Sequence, residues 1–108
     1  MGDSPEVCFV QVTDLKTPRP VVAVVGELNF ATAPLLAKGI SAALDTSPRD
    51  LILDLTETSF LGSAGISIIL LARKHLHKHA LVVLRHPQPF VRRMLDACQL
   101  DTLCVVED

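Results

Sequence analysis

The first two runs of hydrophobic residues along the chain are typical of β-strands. Val7 to Val12 is almost entirely apolar and rich in β-branched residues, and a second apolar run extends from Val21 to Val25. Thr17-Pro18-Arg19-Pro20 separates the two runs, because prolines interrupt strands and favour turns. We predict two strands joined by a turn, which pair as an antiparallel hairpin, and we expect Gly26 to end the second strand.

The following segment has the periodicity of a helix. From Thr32 to Leu44, the apolar side chains recur at helical spacing; they are Leu35, Leu36, Ile40, Ala43 and Leu44. Thr32 is a residue type that caps helices, and Pro34 fits a first helical turn. Ser47-Pro48-Arg49-Asp50 then closes this element.

The middle of the chain predicts a central strand and a second helix. Leu51 to Leu55 is a short, almost continuous apolar run, as expected for a strand that is covered on both faces. We predict a loop from Thr56 to Leu61, and then a helix from about Ser63 to His75. The helix has Ile66, Ile69, Leu70 and Arg73 at positions i, i+3, i+4 and i+7.

Three further elements complete the pattern. Ala80 to Leu84 predicts a buried strand, Pro89 to Ala97 an amphipathic helix, and Leu103 to Val106 a last short strand. In the third helix, the inward positions are Val91, Met94 and Leu95. Strands that alternate with helices imply right-handed βαβ units. The fold class is therefore α/β: a single domain over residues 1–108, with a mixed, largely parallel sheet of four to five strands packed with helices.

Composition excludes several classes of protein. No apolar run approaches the ~20 residues that span a bilayer, and Met1 to Glu6 lacks the features of a secretory signal, so we expect a cytoplasmic protein without a membrane partner. Ten basic and 12 acidic side chains give a net charge of −2, and the chain has no Trp or Tyr, which argues against direct nucleic-acid binding. The three cysteines Cys8, Cys98 and Cys104 form no metal or disulfide motif, so we expect free thiols.

Catalytic and cofactor motifs are missing from the sequence, so we predict no enzyme activity, no catalytic residue, no cofactor and no metal. A histidine-rich segment carries His75, His77 and His79. Metal ligation there is conceivable, but positions i, i+2 and i+4 do not share one face of a helix, so a three-histidine site would require the helix to have ended. The simpler interpretation is that these residues, with Arg73, Lys74 and Lys78, complement the negative end of the helix.

Asp54 to Gly65 is the most informative segment, because ligands and partners of open α/β sheets meet the carboxyl ends of the strands. Ser63 lies where a helix begins, and the free N–H groups and the macrodipole at such a position favour negative charge. A phosphate on Ser63 would be tolerated there, and its charge would block a close protein interface. The alternative is that Ser63 is only an N-cap.

Two motifs resemble those of a known family. Gly26-Glu27-Leu28-Asn29, followed by Ala31-Thr32-Ala33, is similar to a family pattern that reads close to GELD-x-x-TA. Leu53-Asp54-Leu55, together with Phe60-Leu61-Gly62-Ser63-Ala64-Gly65, is similar to the second pattern, DL-x-x-x-x-F-x-DS-[SA]-G. The chain thereby resembles, over nearly its whole length, the STAS domain of anti-sigma factor antagonists.

The resemblance implies a function. Members of this family bind an ATP-dependent anti-sigma factor that is a serine-protein kinase, and thereby release a sigma factor. The kinase switches them off by phosphorylating the serine that Ser63 matches. Asn29 and Gly62 depart from the pattern, which usually has Asp at both positions, so two carboxylates beside the serine are absent. The alternative within the same family is a sensory or small-ligand or nucleotide-binding module without phosphorylation.

The two motifs also predict a partner-binding surface. We expect it to lie on residues 27–32 and 58–66, which leave strand ends on the same side of the sheet, with Phe30 and Leu61 as exposed apolar anchors. We expect a monomer or a weak dimer. The residues assigned to the surface are Glu27, Asn29, Phe30, Thr32, Thr58, Leu61, Gly62, Ser63, Ala64 and Gly65.

Overall fold

Strands and helices follow one another in the predicted order, with two additional short elements. The computed structural model describes residues 8–108. The strands are β1 (Phe9–Thr13), β2 (Val21–Leu28), β3 (Asp50–Asp54), β4 (Thr58–Leu61), β5 (Leu81–Arg85) and β6 (Val105–Glu107). The helices are α1 (Ala33–Leu44), α2 (Ser63–His75), α3 (Pro89–Ala97) and α4 (Leu100–Leu103). Val7, which was predicted to begin the first strand, lies outside the described residues.

The strands form one mixed sheet in the order β1-β2-β3-β5-β6, and β4 pairs with the C-terminal end of β2. β1 and β2 are antiparallel, so the predicted hairpin is confirmed. The remaining neighbours run parallel. The predicted central strand is also confirmed, because β3 lies in the middle of the order and Leu51, Ile52 and Leu53 are all buried. The α/β fold class therefore holds, with one strand more than the four to five predicted.

Helix α2 has the predicted bounds but a narrower buried face than its spacing indicated. Ile66 and Ile69 are buried together with Ala72, whereas Leu70 and Arg73 are exposed. The guanidinium of Arg73 instead donates through Nε to the carbonyl oxygen of Leu103, at 2.7 Å. The helix contacts α1 and β5, so one apolar stripe is sufficient to hold it on the sheet.

Gly26 does not end β2, contrary to the prediction. It adopts a φ of 100°, a region that glycine enters without steric cost, and the strand continues to Leu28 through a register shift between Gly26 and Glu27. The amide of Gly26 donates to the carbonyl oxygen of Glu57 at 3.0 Å. The glycine is thus an irregularity within the strand, where the partner of β2 changes from β3 to β4.

The predicted loop from Thr56 to Leu61 is largely a strand. Thr58 begins β4, and its buried hydroxyl donates to the carbonyl oxygen of Val24 at 2.8 Å. Four residues of mixed polarity are too short to show a period along the sequence. The predicted last strand begins later, at Val105, because Leu103 belongs to the short helix α4.

Within residues 8–108, no helix combines the length and the hydropathy needed to cross a membrane.

Candidate functional site

Two loops meet at one edge of the sheet because β2 and β4 end side by side. Glu27 pairs with Phe60, and Leu28 pairs with Leu61, at the carboxyl ends of the two parallel strands. The chain then leaves β2 toward α1 through residues 29–32, and leaves β4 toward α2 through residue 62. The two segments of the predicted surface therefore leave the sheet at adjacent positions.

Ser63 is the first residue of α2, and its side chain is exposed. The first intrahelical bond at this end runs from the amide of Ile66 to the carbonyl oxygen of Gly62, at 3.1 Å. The amides of residues 63–65 therefore have no acceptor within the helix. The first turn contains no acidic side chain that would neutralise the positive end of the helix dipole. The site suits an anionic group on the Ser63 hydroxyl.

The interpretation of Ser63 as the N-cap is wrong. Gly62 occupies that position with φ −94° and ψ 179°, an extended conformation open to any residue, and no side chain forms a cap hydrogen bond. The amide of Gly62 donates to the carbonyl oxygen of Leu28 at 2.9 Å, which fixes the start of α2 against the end of β2. Among the described residues, 8–108, the Ser63 hydroxyl therefore does not cap the N-terminus of α2.

Asn29 and Thr32 hold the other loop in a compact turn. The Asn29 side-chain oxygen accepts from the amides of Ala31, at 2.9 Å, and of Thr32, at 3.1 Å. The Thr32 hydroxyl accepts a hydrogen bond from the backbone N–H of Asn29 and donates one to the carbonyl oxygen of Glu27, both at 2.8 Å. Thr32 precedes α1 as predicted, but its side chain makes no cap bond to the helix. The turn needs only one acceptor oxygen at position 29, which asparagine supplies without a charge.

Phe30 projects from this turn and is 88% exposed. Its backbone lies between the hydrogen-bonded residues Asn29 and Thr32, so the turn presents the ring to solvent on an ordered support. The prediction that Phe30 is exposed is confirmed, and its ring is accessible to a partner.

Leu61 is completely buried, so the prediction that it is an exposed anchor is wrong. It is the last residue of β4 and packs below α2, where a Cβ added to Gly65 would lie 2.8 Å from Leu61 Cδ1 and 2.6 Å from Leu28 Cδ2. Thr58 is buried as well. Thr58, Leu61 and Gly65 are therefore buried beneath the predicted partner-binding surface, whereas Ser63 and Phe30 are exposed.

The other assigned residues lie between these extremes. The side chains of intermediate exposure are Glu27, Asn29, Thr32 and Ala64, and Gly62 is partly exposed through its backbone. The histidine-rich segment lies at the opposite end of α2, which ends at His75, so His77 and His79 lie beyond the helix. Arg73 and Lys74 in the last turn carry positive charge that complements the helix dipole. Among residues 8–108, no group of three or more His, Cys, Asp or Glu side chains is placed to hold a metal ion.

An aromatic pair beside the site was not predicted. The rings of Phe60 and Phe90 stack with centroids 6.0 Å apart and an interplanar angle of 23°. Phe60 belongs to β4 and Phe90 to the first turn of α3. The two residues are far apart in sequence, and no periodic pattern connects them. The sequence therefore carries no signal that could have indicated this contact.

Comparison with known proteins agrees with this geometry. The family model described as the STAS domain matches residues 11–107. The crystal structure of an anti-sigma factor antagonist from Mycobacterium paratuberculosis is 33% identical, with a TM-score of 0.83, and the match covers 96% of this chain and 88% of that one. Residues 11–107, which include the mixed sheet and the exposed Ser63 at the start of α2, thus form a STAS domain.

Two further relatives extend the comparison. BtrV of Bordetella bronchiseptica, a candidate anti-sigma factor antagonist, is 32% identical over 72 residues, which is 66% of this chain and 62% of BtrV. The anti-sigma factor antagonist SpoIIAA in its unphosphorylated form is 20% identical, with a TM-score of 0.76 over 92% of this chain and 88% of that one, a similarity of fold. The chain belongs to the STAS family of anti-sigma factor antagonists.

Proposed function

We propose that this protein binds an anti-sigma factor of the serine-kinase type, and thereby releases a sigma factor, and that phosphorylation of Ser63 ends the binding. The observation that carries the proposal is the exposed Ser63 at the start of α2, on the same edge of the sheet as the turn that presents Phe30. The protein would act by binding rather than by catalysis. It would act in the cytoplasm, as a monomer or a weak dimer.

The local geometry makes Ser63 suitable for a reversible charge switch. A phosphate adds about −1.5 to −2 charges at neutral pH. The amides at the start of α2, which have no acceptor within the helix, would stabilise that charge, so the domain itself would remain folded. The same charge at the centre of a protein interface would be costly, because it would have to be desolvated or repelled. Phosphorylation would therefore weaken binding without unfolding the antagonist.

A structural neighbour supports the same kind of switch. The Bacillus cell fate determinant SpoIIAA has been solved in a phosphorylated form, which is 20% identical to this chain and has a TM-score of 0.67 over 92% of this chain and 91% of that one. The backbone of the present domain therefore resembles both forms of SpoIIAA. At this identity the likeness concerns the fold, and the assignment to Ser63 rests on its position and exposure.

The proposed phosphoryl transfer does not depend on carboxylates at positions 29 and 62. Asn29 uses its side-chain oxygen within the turn, and Gly62 has no side chain, so neither can contact a kinase as a carboxylate would. In serine kinases the base that accepts the hydroxyl proton is an aspartate or an equivalent group of the kinase itself. The proposed reaction therefore requires only that Ser63 be accessible.

The test is a phosphorylation assay with the serine-kinase anti-sigma factors of the source organism, each purified and supplied with ATP and Mg²⁺. We expect one kinase to add a single phosphate to the wild-type protein, measured by intact mass, and to add none to Ser63→Ala. We also expect the unphosphorylated protein to displace a sigma factor from that kinase. A kinase that binds the protein but leaves its mass unchanged would overturn the phosphorylation step and retain the binding step.

A further inference from the structure

We propose that the partner-binding surface continues from Ser63 across Phe60 to Phe90 at the start of α3, and that Phe90 is inserted into an apolar pocket of the partner. This inference rests on the proposed function, because the partner is the same anti-sigma factor. It adds to that function a third segment of the surface, on an element that neither family motif includes. The stacked Phe60–Phe90 pair is the observation that carries it.

The position of Phe90 is fixed by its surroundings. Pro89 opens α3, and the side-chain amide of Gln88, the residue before it, donates to the carbonyl oxygen of Thr56 at 3.0 Å. This bond ties the start of α3 to the loop between β3 and β4. Within α3, Val91 is fully buried, whereas Phe90 remains 45% exposed although its ring stacks on Phe60. The ring is therefore held in place, yet nearly half of the residue is left in water.

The aromatic pair is continuous with the Ser63 site. Phe60 in β4 pairs with Glu27 in β2. Glu27 lies three residues before Phe30 in the chain. On its other side, Phe60 borders Gly62, because a Cβ added at position 62 would lie 3.1 Å from Phe60 Cε2. A partner that contacts Gly62 and Ser63 would therefore also meet the Phe60 ring, and next to it Phe90.

The chemistry of this edge favours an apolar partner surface. The chain has four phenylalanines, and three of them lie at this edge: Phe30 in the turn after β2, Phe60 in β4 and Phe90 in the first turn of α3. Interfaces obtain most of their binding energy from a few side chains that enter pockets on the partner, and aromatic residues, including Phe, are enriched at interfaces. Rigid aromatic rings also lose little conformational entropy on binding. Phe30 and Phe90 would be the two anchors, on opposite sides of Ser63 in the chain.

The experiment compares two phenylalanines of similar exposure. Phe90→Ala and Phe9→Ala each remove a ring that is about half exposed, 45% and 48% respectively, but Phe9 lies on the edge strand β1. Binding to the serine-kinase anti-sigma factors of the source organism is measured by calorimetry, with unfolding temperatures as a check on folding. We expect Phe90→Ala to raise Kd about tenfold, as for an anchor residue, and Phe9→Ala to change it less than about twofold.

Two further variants test the contact between Gly62 and the stacked Phe60–Phe90 rings. The backbone of Gly62 is in an ordinary extended region, so Gly62→Ala introduces no backbone strain, and its added Cβ would lie 3.1 Å from Phe60 Cε2. The comparison with the Phe60→Leu background isolates the part of its effect that depends on the ring. We expect Gly62→Ala to weaken binding in the wild-type background, and to have a much smaller effect in Phe60→Leu. Equal effects in both backgrounds would contradict the role of the ring.

The outcomes separate this inference from the proposed function. If Ser63→Asp weakens binding while Phe90→Ala, still folded, binds like wild type, then Phe90 lies outside the interface and only the further inference fails. If Phe90→Ala weakens binding and Ser63→Asp does not, the aromatic surface stands and the switch fails. If no kinase binds the wild-type protein, both are overturned.

Discussion

The amide of Gly62 donates a 2.9 Å hydrogen bond to the carbonyl oxygen of Leu28. This bond joins the residue before α2 to the last residue of β2, and so connects the two loops that the family motifs occupy. Because it uses backbone atoms alone, the substitution of the usual Asp by Gly62 does not break it. The placement of Ser63 is therefore independent of the side chain that precedes it.

We expect substitutions of Ser63 to change binding without changing the fold. Ser63→Ala should bind the partner constitutively, because it cannot be phosphorylated. Ser63→Asp should stay folded, since a carboxylate at a helix start stabilises it by about 0.3–1 kcal/mol, yet bind more weakly. Affinity is measured by calorimetry and folding by circular dichroism.

Ser67 supplies the matched control, because it is exposed on the same helix one turn later. Ser67→Ala should remain a substrate of the kinase, and Ser67→Asp should lack the stabilisation by the helix start. If both Ser63 variants bind with wild-type affinity, the serine has no role in the switch.

Phe30→Ala should weaken partner binding and leave the unfolding temperature almost unchanged. The ring is 88% exposed, so its removal costs little packing within the domain. A loss of about 1–3 kcal/mol of binding free energy is expected for an anchor residue. Thermal unfolding and calorimetry are measured on the same preparation. A marked drop in stability with intact binding would assign Phe30 a structural role.

Gly65→Ala should destabilise the domain. The added methyl group would lie 2.6 Å from Leu28 Cδ2 and 2.8 Å from Leu61 Cδ1, and both leucines are completely buried. Overpacking of this kind costs about 1–3 kcal/mol, and the higher helix propensity of alanine offsets about 1 kcal/mol of it. Urea denaturation should therefore show a lower free energy of unfolding than for Ser67→Ala, an exposed position in the same helix. Equal values for the two variants would indicate that the leucines can move aside.

Thr58→Val should lower stability without changing the affinity of the folded protein for its partner. The substitution removes the hydroxyl that bonds the buried carbonyl oxygen of Val24, which costs about 1–3 kcal/mol. Thr13→Val, at an exposed strand position, should change the free energy of unfolding by less than about 0.5 kcal/mol. Weaker binding by a fully folded Thr58→Val would instead place Thr58 in the interface.

The buried Cys104 should react with alkylating reagents more slowly than the exposed Cys98. Burial raises the pKa of the Cys104 thiol to about 11, although the positive charge of Arg73 acts in the opposite direction. At pH 8 its thiolate is scarce, so iodoacetamide should modify the exposed Cys98 well before Cys104, as followed by peptide mass. Three thiols should titrate in denaturant. Rapid modification of Cys104 under native conditions would show that its side chain is accessible.

The raised pKa of Cys104 also has a consequence for stability. The folded state favours the neutral thiol, so this contribution is complete below the ordinary pKa of a cysteine. It is lost as the pH rises toward 11, because the unfolded chain then releases the proton more readily than the folded one does.

The sequence by itself was sufficient for elements whose own residues carry a period. The bounds of α2 and α3 were predicted as Ser63 to His75 and Pro89 to Ala97, and both are confirmed. The continuous apolar run from Leu51 correctly predicted the central strand. The motif around Ser63 also placed it at the start of a helix. Such signals are local, because each depends on residues within a few turns or one strand.

The tertiary structure decided what depends on contacts between distant segments. Strand β4 exists because β2 offers it hydrogen bonds beyond the irregularity at Gly26, and that pairing buries Leu61, which the sequence had indicated as exposed. Phe60 and Phe90 meet because α3 starts next to β4. The pattern of a single segment records its preference for a helix or a strand, whereas the burial of each side chain depends on which other segments pack against it.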